Sequence, residues 1–253
     1  MEKPWRGRLA FLVLALLLPW AVGALESAAL LPVRGDALIR TGGDLETDFA
    51  GEEAPMVALT FDDGPRRSTT GALLEGLAQR GVHATFFLVG EMLEGNEDLI
   101  RDMAAQGHQI GIHSYDHVWL TDLSAADFER EVGRTRETLR GIAGEGSYLL
   151  RPPYGGVDRG VEKRAGSPII LWSVDPEDWK DRDVERIVSH IVSNARDGDI
   201  ILMHDIYQSS VEAALRVVDA LHEKGFLFVT VEELAQHNHV ELEPGKVYRC
   251  FYP

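Results

Sequence analysis

Cysteine is nearly missing: Cys250 is the only one in 253 residues, so no internal disulfide can brace the chain and stability must come from a packed core. At this length, with 45% hydrophobic residues, one sizeable domain can supply that core. Basic residues are scarce too. Lys and Arg number 25 against 41 Asp and Glu, a formal charge of -16 that becomes -18 once residues 1–24 are set aside, which makes nucleic acid a poor partner. Long apolar runs are absent except near the N-terminus, where Leu9 to Leu18 follows Lys3, Arg6 and Arg8. That run is shorter than the ~20 residues that span a bilayer comfortably. Followed by Pro19, Trp20 and Ala21-Val22-Gly23-Ala24, it reads as a secretory signal cut after Ala24, with an uncleaved N-terminal anchor as the alternative. The expected location is therefore secreted or cell-envelope, and membrane contact is expected only through this segment. No cysteine stands directly after the run, which argues against a lipoprotein.

Residues 25–54 show no sustained period and read as an extended leader, leaving 55–253 as the main folded domain. From Met56 onward, β-rich runs alternate with helical patterns. Seven strands are predicted, at Met56 to Phe61, Ala84 to Val89, Gln109 to Ile112, Tyr148 to Leu150, Pro168 to Val174, Ile200 to Met203 and Leu227 to Val231. Helices are predicted at Thr70 to Arg80, Glu97 to Gln106, Ala125 to Ile142, Val184 to Ala195 and Ser210 to Lys224. Gly81, Gly107 and Gly225 stand where C-terminal caps belong, and Ser124 with Asp127 resembles a capping box. Such alternation implies an α/β fold with parallel strands, either an open doubly wound sheet or a closed barrel. In both, function collects at the carboxyl ends of the strands.

Polar clusters recur at those ends. His113-Ser114-Tyr115-Asp116-His117 offers two imidazoles four residues apart, a spacing that can share one face of a helical turn and grip one metal. In the zinc-protease pattern H-E-x-x-H the residue after the first His is the general base; here it is Ser114, so the base must come from elsewhere. The first strand ends in Thr60-Phe61-Asp62-Asp63-Gly64-Pro65, where adjacent carboxylates call for a cation or a buried partner to offset their repulsion. The fourth ends in Arg151-Pro152-Pro153-Tyr154-Gly155, an arginine that could orient a carboxylate on a loop stiffened by prolines. Asp175-Pro176-Glu177-Asp178-Trp179 follows the fifth and Leu202-Met203-His204-Asp205 closes the sixth.

Together T-F-D-D-G-P, H-S-Y-D-H, R-P-P-Y-G, D-P-E-D-W and L-M-H resemble the five ordered motifs of the polysaccharide deacetylases, carbohydrate esterase family 4, over roughly Met56 to Leu234. The resemblance implies a distorted, incomplete (β/α)7 TIM-like barrel. It implies that Asp63, His113 and His117 hold a divalent metal, with zinc expected and cobalt or manganese as alternatives. It also implies Asp62 as base, His204 as acid, Arg151 paired with Asp62, Asp178 raising the pKa of His204, and Tyr154, Trp179 and Leu202 on the substrate. The expected reaction removes acetyl groups from N-acetylglucosamine units of a polysaccharide, peptidoglycan first. Chitin oligosaccharides or acetylxylan are alternatives, as are a non-catalytic wall-binding protein of the same fold and a C–N hydrolase of small molecules. Asp116 and Asp205 are read as supporting or turn residues.

Overall fold

The computed structural model describes residues 54–253, and the expectations for residues 1–24 and 25–53 lie outside that span. Its order is β1 (Met56–Asp62), α1 (Arg67–Gln79), β2 (Thr85–Leu88), α2 (Glu97–Ala105), β3 (Gln109–Ile112), α3 (Ala125–Phe128), a π turn (Glu129–Gly133) and α4 (Arg134–Ala143). Then come α5 (Arg159–Arg164), β4 (Ile169–Ile170), α6 (Val184–Asn194), β5 (Asp199–His204), α7 (Gln208–Glu223), β6 (Leu227–Val229), α8 (Val231–His237) and β7 (Val247–Tyr248).

Parallel pairing runs β3-β2-β1-β5, and the circuit closes through single bridges: Ile112 to Leu150, Leu150 to Ile169, and Val174 back to Ile201 on β5. The wall is thus a full ladder on one side and a chain of isolated bridges on the other, the distorted and incomplete barrel expected. Strand β6 joins the start of β1 and β7 joins β4. The predicted strand at Tyr148 to Leu150 shrinks to one bridge, and of Pro168 to Val174 only Ile169–Ile170 is regular. Val247–Tyr248 was not predicted as a strand. Nor were α5, capped by the Asp158 side chain, and α8, which opens on a capping box between Thr230 and Glu233.

Strand parity sorts the core. On β1, Val57, Leu59 and Phe61 point to the helices and Ala58 to the barrel interior. On β5, Ile201 and Met203 point out, whereas Ile200 points in. Each buried Leu, Ile or Phe contributes on the order of 1.5–3 kcal/mol, so both faces anchor the strands firmly. Carried one step further, the same alternation turns Asp62, His113, Arg151 and His204 toward the interior at the strand ends, because Phe61, Ile112, Leu150 and Met203 are held outward.

Candidate active site

Asp62 and His204 are register partners on β1 and β5, so the barrel itself sets them side by side. Asp62 is buried, and its Oδ1 accepts from Arg151 Nη1 at 2.8 Å. Arg151 is fully buried and spends its donors locally: Nη1 also reaches Thr60 Oγ1 at 2.7 Å, Nε the Ile170 carbonyl and Nη2 the Leu171 carbonyl, both at 3.1 Å. Its guanidinium lies 4.1 Å from the centre of the Phe87 ring. Burial draws its pKa down and the Asp62 charge pushes back up.

Asp63, the next residue, leaves the strand with φ 73°. Its Oδ1 lies 3.5 Å from His113 Nε2 and 3.2 Å from His117 Nε2. Burial raises the Asp63 pKa, but the hydrogen-bonding approach of His117 and the neighbouring histidines, His204 among them, outweigh it and hold the carboxyl below its ordinary range. His113 is buried, and Nδ1 stands 2.7 Å from the Arg151 carbonyl, which can only accept. The proton therefore sits on Nδ1, and the Nε2 lone pair faces the carboxylates of Asp62 and Asp63 at 3.6 and 3.5 Å. Burial lowers the His113 pKa, keeping the ring neutral.

A lone pair aimed at two carboxylates is repulsive unless a cation lies between them, and Asp63 Oδ1 is buried with no aligned donor. One ligand atom from each of Asp63, His113 and His117 lies within 4.8 Å of the others. This set of one carboxylate and two imidazoles fits a divalent cation. The pair does not arise as a helical turn, however. Residues 113–117 form a loop in which Ser114 and His117 take φ of 61° and 51°, and this irregular backbone turns the second ring back toward the first. Among the described residues seven non-glycines have left-handed φ, and five of them (Asp63, Ser114, His117, Tyr154 and Glu177) fall in the predicted clusters, which concentrates backbone strain at the site.

Opposite the triad, His204 Nδ1 lies 2.7 Å from Asp178 Oδ1, and its backbone N–H donates to Asp178 Oδ2 at 2.9 Å. Burial alone would lower the His204 pKa, but the fully buried Asp178 and the charges of Asp62 and Asp63 win and carry it to about 9. A protonated imidazole thus faces a cluster of carboxylates. Asp205, next in line, is buried with one oxygen accepting from the Thr70 hydroxyl, and burial pushes its pKa to about 7.

A cavity of about 440 Å³ joins these groups, lined by Asp62, Asp63, His113, His117, Tyr154, Trp172, Asp175, Trp179, Leu202, His204 and Tyr207. Of the predicted set, only Arg151 and Asp178 stand outside the lining, one behind Asp62 and the other behind His204. Tyr154 exposes half its surface, stacks its ring on Trp119 at 4.6 Å and donates its hydroxyl to the His117 carbonyl at 3.4 Å. Sequence reasoning missed Trp172, Tyr207, Trp119 and Glu131. Trp172 was legible by parity, being two residues from the inward Ile170. Tyr207 lies past the strand end, where parity carries no information. Glu131 sits in the π turn Glu129–Gly133, inside a stretch that the sequence predicts as one continuous helix, with nothing local to mark it. Asp116 is exposed and bonds through its backbone.

A family model described as polysaccharide deacetylase matches residues 50–167. A peptidoglycan-N-acetylmuramic acid deacetylase of Bacillus subtilis (strain 168) is 38% identical over 181 residues, 72% of this chain but 39% of that protein, so the chain spans about two fifths of this relative's length. A peptidoglycan-N-acetylglucosamine deacetylase of Bacillus cereus is 35% identical over 192 residues, 73% of this chain and 90% of that protein. The solved structure of a family 4 acetyl xylan esterase from Clostridium thermocellum, in complex with a cobalt ion, matches with a TM-score of 0.74 at 28% identity, covering 77% of this chain and 98% of that one. With a relative of this identity covered nearly end to end, and with the five strand-end clusters gathered on one cavity, the chain belongs to the polysaccharide deacetylase family.

Proposed function

We propose that the protein is a metal-dependent hydrolase that removes acetyl groups from N-acetylglucosamine units of a polysaccharide, peptidoglycan in particular. One observation carries the reading: a carboxylate held by an arginine and a protonated imidazole held by a carboxylate stand side by side on the wall of a cavity that also contains the ligand triad of Asp63, His113 and His117. Those three residues would hold the cation, for which two imidazoles and one carboxylate favour zinc, with cobalt and manganese also served by such ligands. When bound, a divalent cation supplies Lewis acidity at the amide carbonyl and makes water easier to deprotonate.

The chain's own residues divide the remaining work. Asp62 has Oδ1 occupied by Arg151, leaving Oδ2, on the His113 side, to take a proton from the attacking water. His204 has Nδ1 committed to Asp178, leaving Nε2 to give its proton to the departing amine. Tyr154 would present its backbone N–H to the developing oxyanion, and Leu202 with Trp179 would flank the acetyl methyl. The signal-like residues 1–24 support export to the cell envelope, where peptidoglycan lies, and no helix among the described residues is long and apolar enough to cross a membrane.

The test is acetate release from purified peptidoglycan, chitin oligosaccharides and acetylxylan by the full chain, with and without chelator. Metal-dependent release, fastest on peptidoglycan, is expected, together with a loss of roughly 10²–10⁴ in kcat for Asp62→Asn. No release from any of the three would return the protein to a wall-binding role. His113→Ala should lose its bound metal, and unchanged stoichiometry would sink the ligand assignment.

A further inference from the structure

Between the two histidines of the triad run Ser114, Tyr115 and Asp116, a stretch that belongs to no helix or strand. Its shape fixes the distance from His113 to His117, so whatever holds it holds the triad. On one side β2 and its extension do so: His113 N–H donates to the Leu88 carbonyl at 2.8 Å, and the Ser114 and Tyr115 carbonyls accept from Gly90 and Glu91 at 2.9 and 3.0 Å. On the other side it is held through the N–H groups of Tyr115 and Asp116. Both donate to one oxygen, Glu131 Oε2, each at 2.9 Å.

Glu131 is 9% exposed, and its carboxylate is committed to these amides rather than to a cation. Two successive backbone N–H groups converging on a carboxylate form a small anion nest, and charge-assisted bonds of this kind are roughly twice as strong as neutral ones. The way Glu131 arrives is equally specific. It occupies the π turn Glu129–Gly133 between α3 and α4, a one-residue widening that a regular helix would not contain. The surroundings lock it further, since Thr135 Oγ1 donates to the Glu131 carbonyl at 2.8 Å and the Arg134 guanidinium covers the Tyr115 ring at 3.8 Å.

We infer that Glu131 is a positioning residue for the metal site, setting the His113–His117 separation through the two amides between them. It touches neither the ligand atoms nor the substrate cavity. Its carboxylate substitutes for the regular hydrogen bonding that a helical H-x-x-x-H would have provided, and it allows the left-handed turns at Ser114 and His117 to persist. This rests on the ligand assignment proposed above.

The experiment is a chelator-competition titration of zinc into the metal-free full chain, comparing wild type, Glu131→Ala and Glu131→Gln, with circular dichroism to establish folding. Glu131→Ala is expected to weaken zinc binding by about 10- to 100-fold, the range found when a supporting partner of a ligand is removed. Glu131→Gln keeps an oxygen that can accept both amides but loses the charge, so it should weaken binding less than Ala and by at least about threefold. A role confined to stability would lower the melting temperature of both variants while leaving zinc affinity unchanged. Either variant folding and binding zinc within about twofold of wild type overturns the proposal; should Glu131→Ala not fold, Glu131→Gln decides alone. His113→Ala in the same titration separates the two readings. If it retains zinc, the ligand assignment fails; if it loses zinc while the Glu131 variants do not, only the positioning role fails.

Discussion

His204 shows most directly how one residue's surroundings determine what it can do. A histidine in water loses its proton near pH 6.5, whereas here burial, which would push that value down, is overcome by Asp178 and the neighbouring carboxylates, and the proton stays to about pH 9. Because the folded pKa is raised, the pair's contribution to stability is complete below 6.5 and is lost as pH rises through about 9. The same shift should set the alkaline limb of turnover. Replacing Asp178 by Asn removes the charge but keeps an oxygen for the ring, so the limb in a kcat–pH profile should move toward acid by more than one pH unit, with a lower plateau. An unmoved limb would assign it to another group. The metal-ligand spacing of His113 and His117 could be read from residue type and strand end, whereas the roles of Asp62 as base and His204 as acid came with the family resemblance. The supports at Arg151 and Asp178 were inferred by resemblance, since nothing local to either residue names the partner it meets.

Among the elements, the strands transmit their parity faithfully and the loops do not. The alternation on β1 and β5 turns Asp62 and His204 inward with no further information, and the C-terminal glycines at 81, 107 and 225 do end their helices with φ between 63° and 86°. Ser124 caps α3, but the Asp127 side chain accepts from the Ser124 hydroxyl, and the reciprocal backbone bond of a capping box is found instead between Thr230 and Glu233. The predicted helix across Ala125 to Ile142 hides a π turn because its periodicity survives a one-residue insertion. Asp205 joins three elements. It follows β5, accepts from Thr70 on α1, and crowds the turn after β1 so closely that any side chain at Gly64 would run into its carboxylate. Burial raises its pKa from 3.8 to about 7, so the folded protein holds a proton that the unfolded chain has released, and stability falls as pH rises between those values. Asp205→Asn removes that dependence. Urea unfolding of the metal-free proteins should show the variant gaining on wild type across this window by on the order of a few kcal/mol, and parallel profiles would refute the assignment.

For the whole molecule, the periodicities favoured parallel strands and crossover helices but left open whether the sheet closes. Closure depends on contacts that no local pattern encodes: three single bridges, at Leu150, Ile169 and Val174, complete a circuit whose other half is a regular ladder. Arg151 lies in the thin half. Its backbone N–H donates to the Ile112 carbonyl at 2.9 Å, and its side chain reaches the Ile170 and Leu171 carbonyls, so it spans from β3 to β4 where strand pairing is least. Arg151→Met would strand the Asp62 carboxylate in the interior and free both carbonyls, and a loss of about 3–5 kcal/mol in chemical denaturation is expected, beyond any effect on rate. A loss below about 1 kcal/mol would mean that the bridges hold the wall unaided.

The double duty of Arg151 bears on how lineages of this fold decay. A descendant that abandoned hydrolysis could replace Asp62 or His204 without opening the gap directly, because neither spans it, but it would still need the guanidinium to stay shut and a buried acceptor in place of Asp62 to satisfy it. Persistence of that arginine in a divergent sequence would then record inherited shape, while the fate of the two inward-facing partners on β1 and β5 would record whether the chemistry survived.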